Sequence, residues 1–224
     1  MDYTQMIERI QDTNIQCGLM TACNSVDNLF DKNCLQLLKL FEPNSIYLIL
    51  GEATQSVNEY VYNPSNKRQN FLEPQMVTNL LYDPLVNGYH NLLANKGVVI
   101  FDLMPLPLPT KYYDEKTFVP TENELTAFWH FRLNALLDIL KESDDVSIKI
   151  CKRYKKIGSM SSRFVQMFKL LIINHSSTIN YDPNFTLNYE LSDFENPNMK
   201  GIPRKQQRAI NPDKLKRFLD LDLV

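Results

Sequence analysis

Three residues of the kinds that carry acid–base and electrostatic chemistry each follow a short apolar run. Glu52 comes after the run at 46–50 and Gly51, Asp102 directly follows 98–101, and His175 follows 170–173 and Asn174. A fourth run, 146–151, opens into basic residues. Runs of this length and composition read as buried parallel strands. In open α/β sheets the carboxyl ends of the strands open onto one crevice, so Glu52, Asp102 and His175 are expected to face a common cleft. A carboxylate at position 52 can position a water, act as a general base or stabilise a cationic transition state, or else it is a helix-cap or surface acid. Asp102 lies between Phe101 and Leu103, so it risks burial and needs partners, either on a ligand or on backbone N–H groups of the Pro-rich segment that follows. His175 either donates to a ligand carbonyl or developing anion, or is a satisfied loop histidine.

The intervening segments read as the elements that hold these residues. A helical opening ends near Phe41, before Pro43 and Asn44, and brings the chain to the first strand. Residues 51–75 have no sustained period and read as a functional loop. Helical pieces within 75–94 are interrupted by Pro84 and Gly88, and Asn95-Lys96-Gly97 turns the chain into the second strand. Pro105, Pro107 and Pro109 impose a stiff extended segment. The clearest helix is 122–141, with Thr121 and Glu124 in a capping-box pattern and Leu125, Phe128, Trp129, Arg132, Leu133, Leu136, Leu137 and Leu140 on one face. Another helix is expected over 159–168. A last one starts with Asn211 as cap and Pro212 in its first turn, burying Leu215, Phe218, Leu219 and Leu221. Strands alternating with helices imply a three-layer α/β/α fold around a short, mainly parallel four-stranded sheet. The expectation is one domain over 1–224, with an N-terminal helical segment, 1–44, and a C-terminal loop and helix, 181–224.

Composition narrows the function classes. With 44% hydrophobic and 22% charged residues among 224, the chain is ordinary globular protein. No apolar stretch approaches the roughly 20 residues that cross a bilayer, and the polar start carries no signal-like apolar region. The expectation is an intracellular protein, in cytoplasm or nucleus, with no membrane partner. Cys17, Cys23, Cys34 and Cys151 lack metal-type spacing and read as reduced packing residues, and the three histidines are scattered, so no metal site is expected. GxGxxG, P-loop and GxSxG patterns are absent, which disfavours dinucleotide binding, NTP hydrolysis and the serine-hydrolase elbow.

A net charge of −2 excludes coating nucleic acid by bulk electrostatics, yet basic residues gather locally. One group comprises Lys149, Lys152, Arg153, Lys155 and Lys156, the other Lys200, Arg204, Lys205 and Arg208. They are either solvated faces or the path of a phosphate backbone past the cleft.

The order of these features resembles the uracil-DNA glycosylase superfamily over about residues 46–180. LILGEATQ is similar to the water-activating first motif in its GEAPG form, and GVVIFDLMPLP to the second strand. SIKICKRYKKIG resembles the third strand, and LLIINHSST the histidine loop. The resemblance implies that Glu52 activates water, Phe71 stacks on a flipped base, Asp102 meets the base edge and His175 stabilises the leaving base. It implies DNA contacts at Lys152, Arg153, Lys155, Lys156, Ser176, Ser177, Arg204 and Lys205, with a residue after His175 entering the duplex. The cysteines are not placed as in the iron–sulfur branches, so no cofactor is implied. Thr54, Gln55 and Ser56 stand where Pro and Tyr usually follow the acid, Ser176 replaces the loop proline, and Asp102 stands where many members have Asn. The implied function is DNA binding and repair by hydrolysis of the N-glycosidic bond of a damaged base. Two alternatives stand beside it: a catalytically inactive DNA-binding or protein-interaction subunit of the same fold, and a small-molecule or nucleoside hydrolase using the same crevice.

Overall fold

Apolar runs alternating with amphipathic segments produce an α/β architecture. The computed structural model describes residues 3–10, 13, 16–17, 19–20, 32–53, 74–104, 122–140, 146–153, 167–171, 173, 179–188 and 210–221. The elements in chain order are α1 (Tyr3–Glu8), α2 (Lys32–Phe41), β1 (Ser45–Ala53), α3 (Pro74–Leu80), α4 (Tyr89–Asn95) and β2 (Val98–Met104), followed by α5 (Glu122–Leu140), β3 (Ser147–Lys152), β4 (Ile179–Thr186) and α6 (Pro212–Phe218). Among the described residues, no helix is long and apolar enough to cross a membrane.

The sheet is four-stranded and parallel throughout, in the order β2-β1-β3-β4. Strand β1 lies between two partners, which is why Ile46, Tyr47, Leu48, Ile49 and Leu50 are all buried instead of alternating. Its register sets Leu48 opposite Val99 and Ile150. The entry to β2 depends on a glycine: Gly97 has φ 75°, and a Cβ there would lie 2.0 Å from the Ser45 carbonyl oxygen. That close approach lets Tyr47 N–H donate to the Gly97 carbonyl at 2.8 Å.

Three of the four expected strands are present, and the fourth is displaced. Residues 167–171 and 173 are helical, and β4 begins at Ile179. The run 170–173 is apolar, but Leu170 is 44% and Ile173 75% exposed, whereas Met167, Phe168 and Leu171 are buried. This is a helical stripe, and in so short a run composition alone does not separate it from a strand. The actual β4, INYDPNFT, holds Pro183 and two asparagines. It is tolerated because β4 is an edge strand and its pairing with β3 shifts register between Ile150 and Lys152. Within the bulge, Asn184 N–H donates to the Asp182 side chain at 2.8 Å.

The helices otherwise follow the expected pattern. The apolar face of α5 buries Phe128, Trp129, Leu133, Leu136 and Leu137, and the helix packs on β2, as does α4. Glu124, expected in a capping box with Thr121, accepts from Arg9, the residue after α1; Thr121 lies outside the described residues. Of the cysteines, Cys34 and Cys151 are buried, whereas Cys17 is exposed and so departs from the packing role expected for it; Cys23 is outside the described residues.

Helix α6 closes onto the sheet. The Asn211 side chain accepts from the backbone N–H groups of Asp213 at 2.9 Å and Lys214 at 3.4 Å, and Pro212 occupies the first turn. At the other end, Lys149 Nζ donates to Asp220 Oδ1 at 2.7 Å, Tyr47 OH donates to Asp220 Oδ2 at 3.2 Å, and the Phe218 ring meets Tyr47 edge-on at 5.7 Å. Replacing the cap, Asn211→Ala, is expected to lower stability by about 1 kcal/mol in urea denaturation, with Asn211→Asp retaining most of it.

Candidate functional site

All four strands point the same way, so their carboxyl ends share one side of the sheet. From β1 the chain crosses to β2 on one flank, and from β3 it crosses to β4 on the other. The switch point, where such folds open a crevice, therefore lies between β1 and β3. At that end β1 contributes Gly51 and Glu52, β2 Asp102, β3 Lys152 and then Arg153, and β4 Thr186 followed by Leu187 and Asn188.

Gly51 and Asp102 are register partners on adjacent strands. A Cβ at position 51 would lie 2.0 Å from Asp102 Oδ1 and 3.2 Å from Cγ, so the carboxylate lies in the space left by the missing side chain. The glycine of the GEA motif thus makes room for a carboxylate reaching across β1. Arg153 N–H donates to the Leu50 carbonyl at 3.0 Å, which sets Arg153 beside Gly51 on the other flank.

The charge of Asp102 is set by opposing effects. Burial of the carboxyl raises its pKa most strongly, the Arg132 and Arg153 guanidiniums pull it back, and the net value is about 6 against an ordinary 3.8. Arg132 is only 1% exposed and comes from the apolar face of α5. Its Nη1 donates to the Asp102 carbonyl at 2.7 Å and to the Leu103 carbonyl, and its guanidinium lies 4.7 Å over the Phe101 ring. One buried cation thereby holds the end of β2 and biases the carboxylate on it.

Lys152 is 9% exposed, paired in register with Leu50 and Thr186, and so is buried rather than displayed as the basic run suggested. Beyond it, Leu187 and Asn188 N–H groups donate to the Lys152 and Arg153 carbonyls, each at 3.3 Å. The first turn of α6 clamps this segment: Asn211 N–H donates to the Leu187 carbonyl at 2.8 Å, and the buried Lys214 Nζ to the Asn188 carbonyl at 3.3 Å.

Of the residues singled out from sequence, the fold brings Asp102, Lys152, Arg153 and the backbone of Glu52 to one end of the sheet. Glu52 holds the register position between the Gly51–Asp102 and Ala53–Met104 pairs. Phe71, Lys155, Lys156, His175, Ser176, Ser177, Arg204 and Lys205 lie outside the described residues. The reason for grouping His175 with the others was a strand ending just before it, and that strand does not exist: residues 170, 171 and 173 are helical and β4 starts only at Ile179. Sequence reading missed the roles of Arg132 and Lys214. Their signal was present as a cation inside an apolar stripe, Arg132 beside Leu133 and Lys214 beside Leu215. Such residues are buried only when hydrogen-bonded or paired. Among the described residues, no group of three His, Cys, Asp or Glu side chains could hold a metal ion.

Compared with protein-family models, curated proteins and solved structures, the chain matches none. The reading of the site therefore rests on its geometry.

Two outcomes are expected. Gly51→Ala must displace the Asp102 carboxylate and is expected to destabilise by about 1–3 kcal/mol, a penalty largely removed in Gly51→Ala/Asp102→Ala and measurable as a coupling in a double-mutant cycle. Because the folded-state pKa of Asp102 is raised, its contribution favours folding fully below about pH 4 and is lost as pH rises through about 6. Denaturation of the wild type and Asp102→Asn at pH 4 and pH 7 should show the wild type gaining relative to the variant at pH 4. The gain is on the order of 1–3 kcal/mol, at about 1.4 kcal/mol per pKa unit.

Proposed function

We propose that the chain is a nucleic-acid-binding protein whose strand-end crevice receives a single unstacked base and hydrolyses its N-glycosidic bond. The observation that carries this reading is the Gly51–Asp102 pair beside Arg153 at the switch point. A desolvated carboxylate lies against the central strand with two guanidinium charges acting on it, and a second carboxylate residue, Glu52, follows Gly51 on that strand. In this reading Glu52 takes a proton from water as the water oxygen bonds to the sugar C1′. The C1′–N bond breaks as the C1′–O bond forms, its electron pair leaves with the base, and the base takes a proton from solvent. Asp102 meets the base edge, and the positive charge of Arg153 attracts the phosphate backbone and favours the anionic leaving base. Base chemistry of this kind requires the nucleotide to leave the stack, which suits a crevice at strand ends rather than a flat surface.

A second reading, binding without turnover, is favoured by one specific observation. The helical state of 170, 171 and 173 removes the strand that would have carried His175 to the crevice.

Oligonucleotides carrying uracil, hypoxanthine, xanthine or a mismatched base distinguish the readings. Base release that falls about 100-fold or more in Glu52→Gln is the expected result. Salt-dependent binding with no release from any substrate would establish the second reading, and His175→Ala reports whether that residue takes part at all. Absence of both release and low-salt binding would sink both.

A further inference from the structure

At the amino ends of the strands, the opposite end of the sheet from Gly51, Asp102 and Arg153, a half-open cavity of about 740 Å³ lies where α2 and α5 end and β1 and β3 begin. We propose that it is a binding site for an apolar ligand with one cationic end, a lipophilic ammonium compound, held by the aliphatic lining and by Glu42.

The lining accounts for the apolar part. Leu38 and Ile46 belong to the buried core, and Leu35, Ile139 and Val146 pack against it without being fully covered. On α2 the residues that line the cavity are Leu35, Leu38, Lys39 and Glu42, spaced as one helical stripe, so the helix turns a single face to it. Aliphatic walls with a few polar groups at one side, enclosing this volume, are the usual make-up of a small-molecule site.

Glu42 accounts for the charge. It follows α2 directly in the left-handed region, φ 45°, where helices usually place glycine and where a side chain is strained. It also sets a carboxylate at the negative end of that helix, an unfavourable place for an anion. Glycine would relieve both effects. Nothing offsets them in the fold: among the described residues, the Glu42 side chain has no ion pair or hydrogen bond. Lys39 is different, because a cation in the last turn of α2 complements the helix end and is accounted for without a ligand. Helix α5 also ends at the cavity, through Ile139 and Leu140, with no basic residue in its last turn. Each helix end counts for roughly half a negative charge, so the two ends and Glu42 together outweigh Lys39, and the cavity favours a cation.

The test measures binding of the full chain at low salt to three probes that share an eight-carbon tail: octylammonium, octanol and octanoate. Octylammonium is expected to saturate one site and to bind about fivefold tighter than octanol, the size of one exposed ion pair at a helix end, with octanoate the weakest. On titration the methyl resonances of Ile46, Ile139 and Val146 should shift. Glu42→Gln should bring octylammonium to the level of octanol. Glu42→Gly should do the same while raising the urea midpoint, which separates loss of the site from loss of the fold. Octanoate binding as tightly as octylammonium, an ammonium preference that survives Glu42→Gln, binding that leaves those methyl resonances unmoved, or no saturable binding of any probe overturns the proposal.

Discussion

Strand β1 is hydrogen-bonded along both edges, to β2 on one side and β3 on the other, and the arrangement of the polar strand ends depends on that double pairing. It fixes the register that sets Gly51 against Asp102 and places Arg153 on the opposite flank. A slip of one residue would move Asp102 to the other face of the sheet and put Phe101 against Gly51. Burial of Ile46 through Leu50 resists such a slip, because the same shift would disturb the packing of the central strand on both faces. The apolar run is therefore more than core material: it is the ruler against which the polar strand ends are aligned.

The polar end of the sheet is held by cations that are themselves buried. Arg132 reaches the end of β2 from α5, and Lys214 reaches the segment after β4 from α6. Both bond to main-chain carbonyls and so stiffen this end of the sheet. Asp102 is the counterpart. Burial pushes its carboxyl toward the neutral form and the guanidiniums oppose this, leaving a group that titrates near 6 where an isolated buried acid would titrate higher. The position of α5 thus bears on the charge of Asp102 as much as on the core.

Much of this was legible beforehand. The first three strands, the long α5 helix, the interruption at Pro84 and Gly88 and the Asn211 cap of α6 all follow from runs, periodicity and capping chemistry that act within a few residues. The polar residues at the ends of β1, β2 and β3 were identified for the same local reason. The fourth strand was misread because Leu170, Leu171 and Ile173 form an apolar run whose period is too short to register. The true β4, with Asp182 and Pro183 at its centre, lacks strand character and exists because β3 offers it an edge. Lys152 was misread too: a lysine in a basic run suggests solvent, but pairing with Leu50 and Thr186 buries it.

The sequence by itself determined the α/β class, the strands that form the centre of the sheet, and the chemistry available at their ends, since these depend on side-chain polarity and short-range backbone preference. Only the tertiary structure decided the strand order, the contact of Asp102 with Gly51, the burial of Arg132 and Lys214, and the helical state of residues 170, 171 and 173. Those features depend on which strands pair and which helix faces meet them. Such long-range choices are made by the summed burial of many residues, and no local stretch of the chain encodes them.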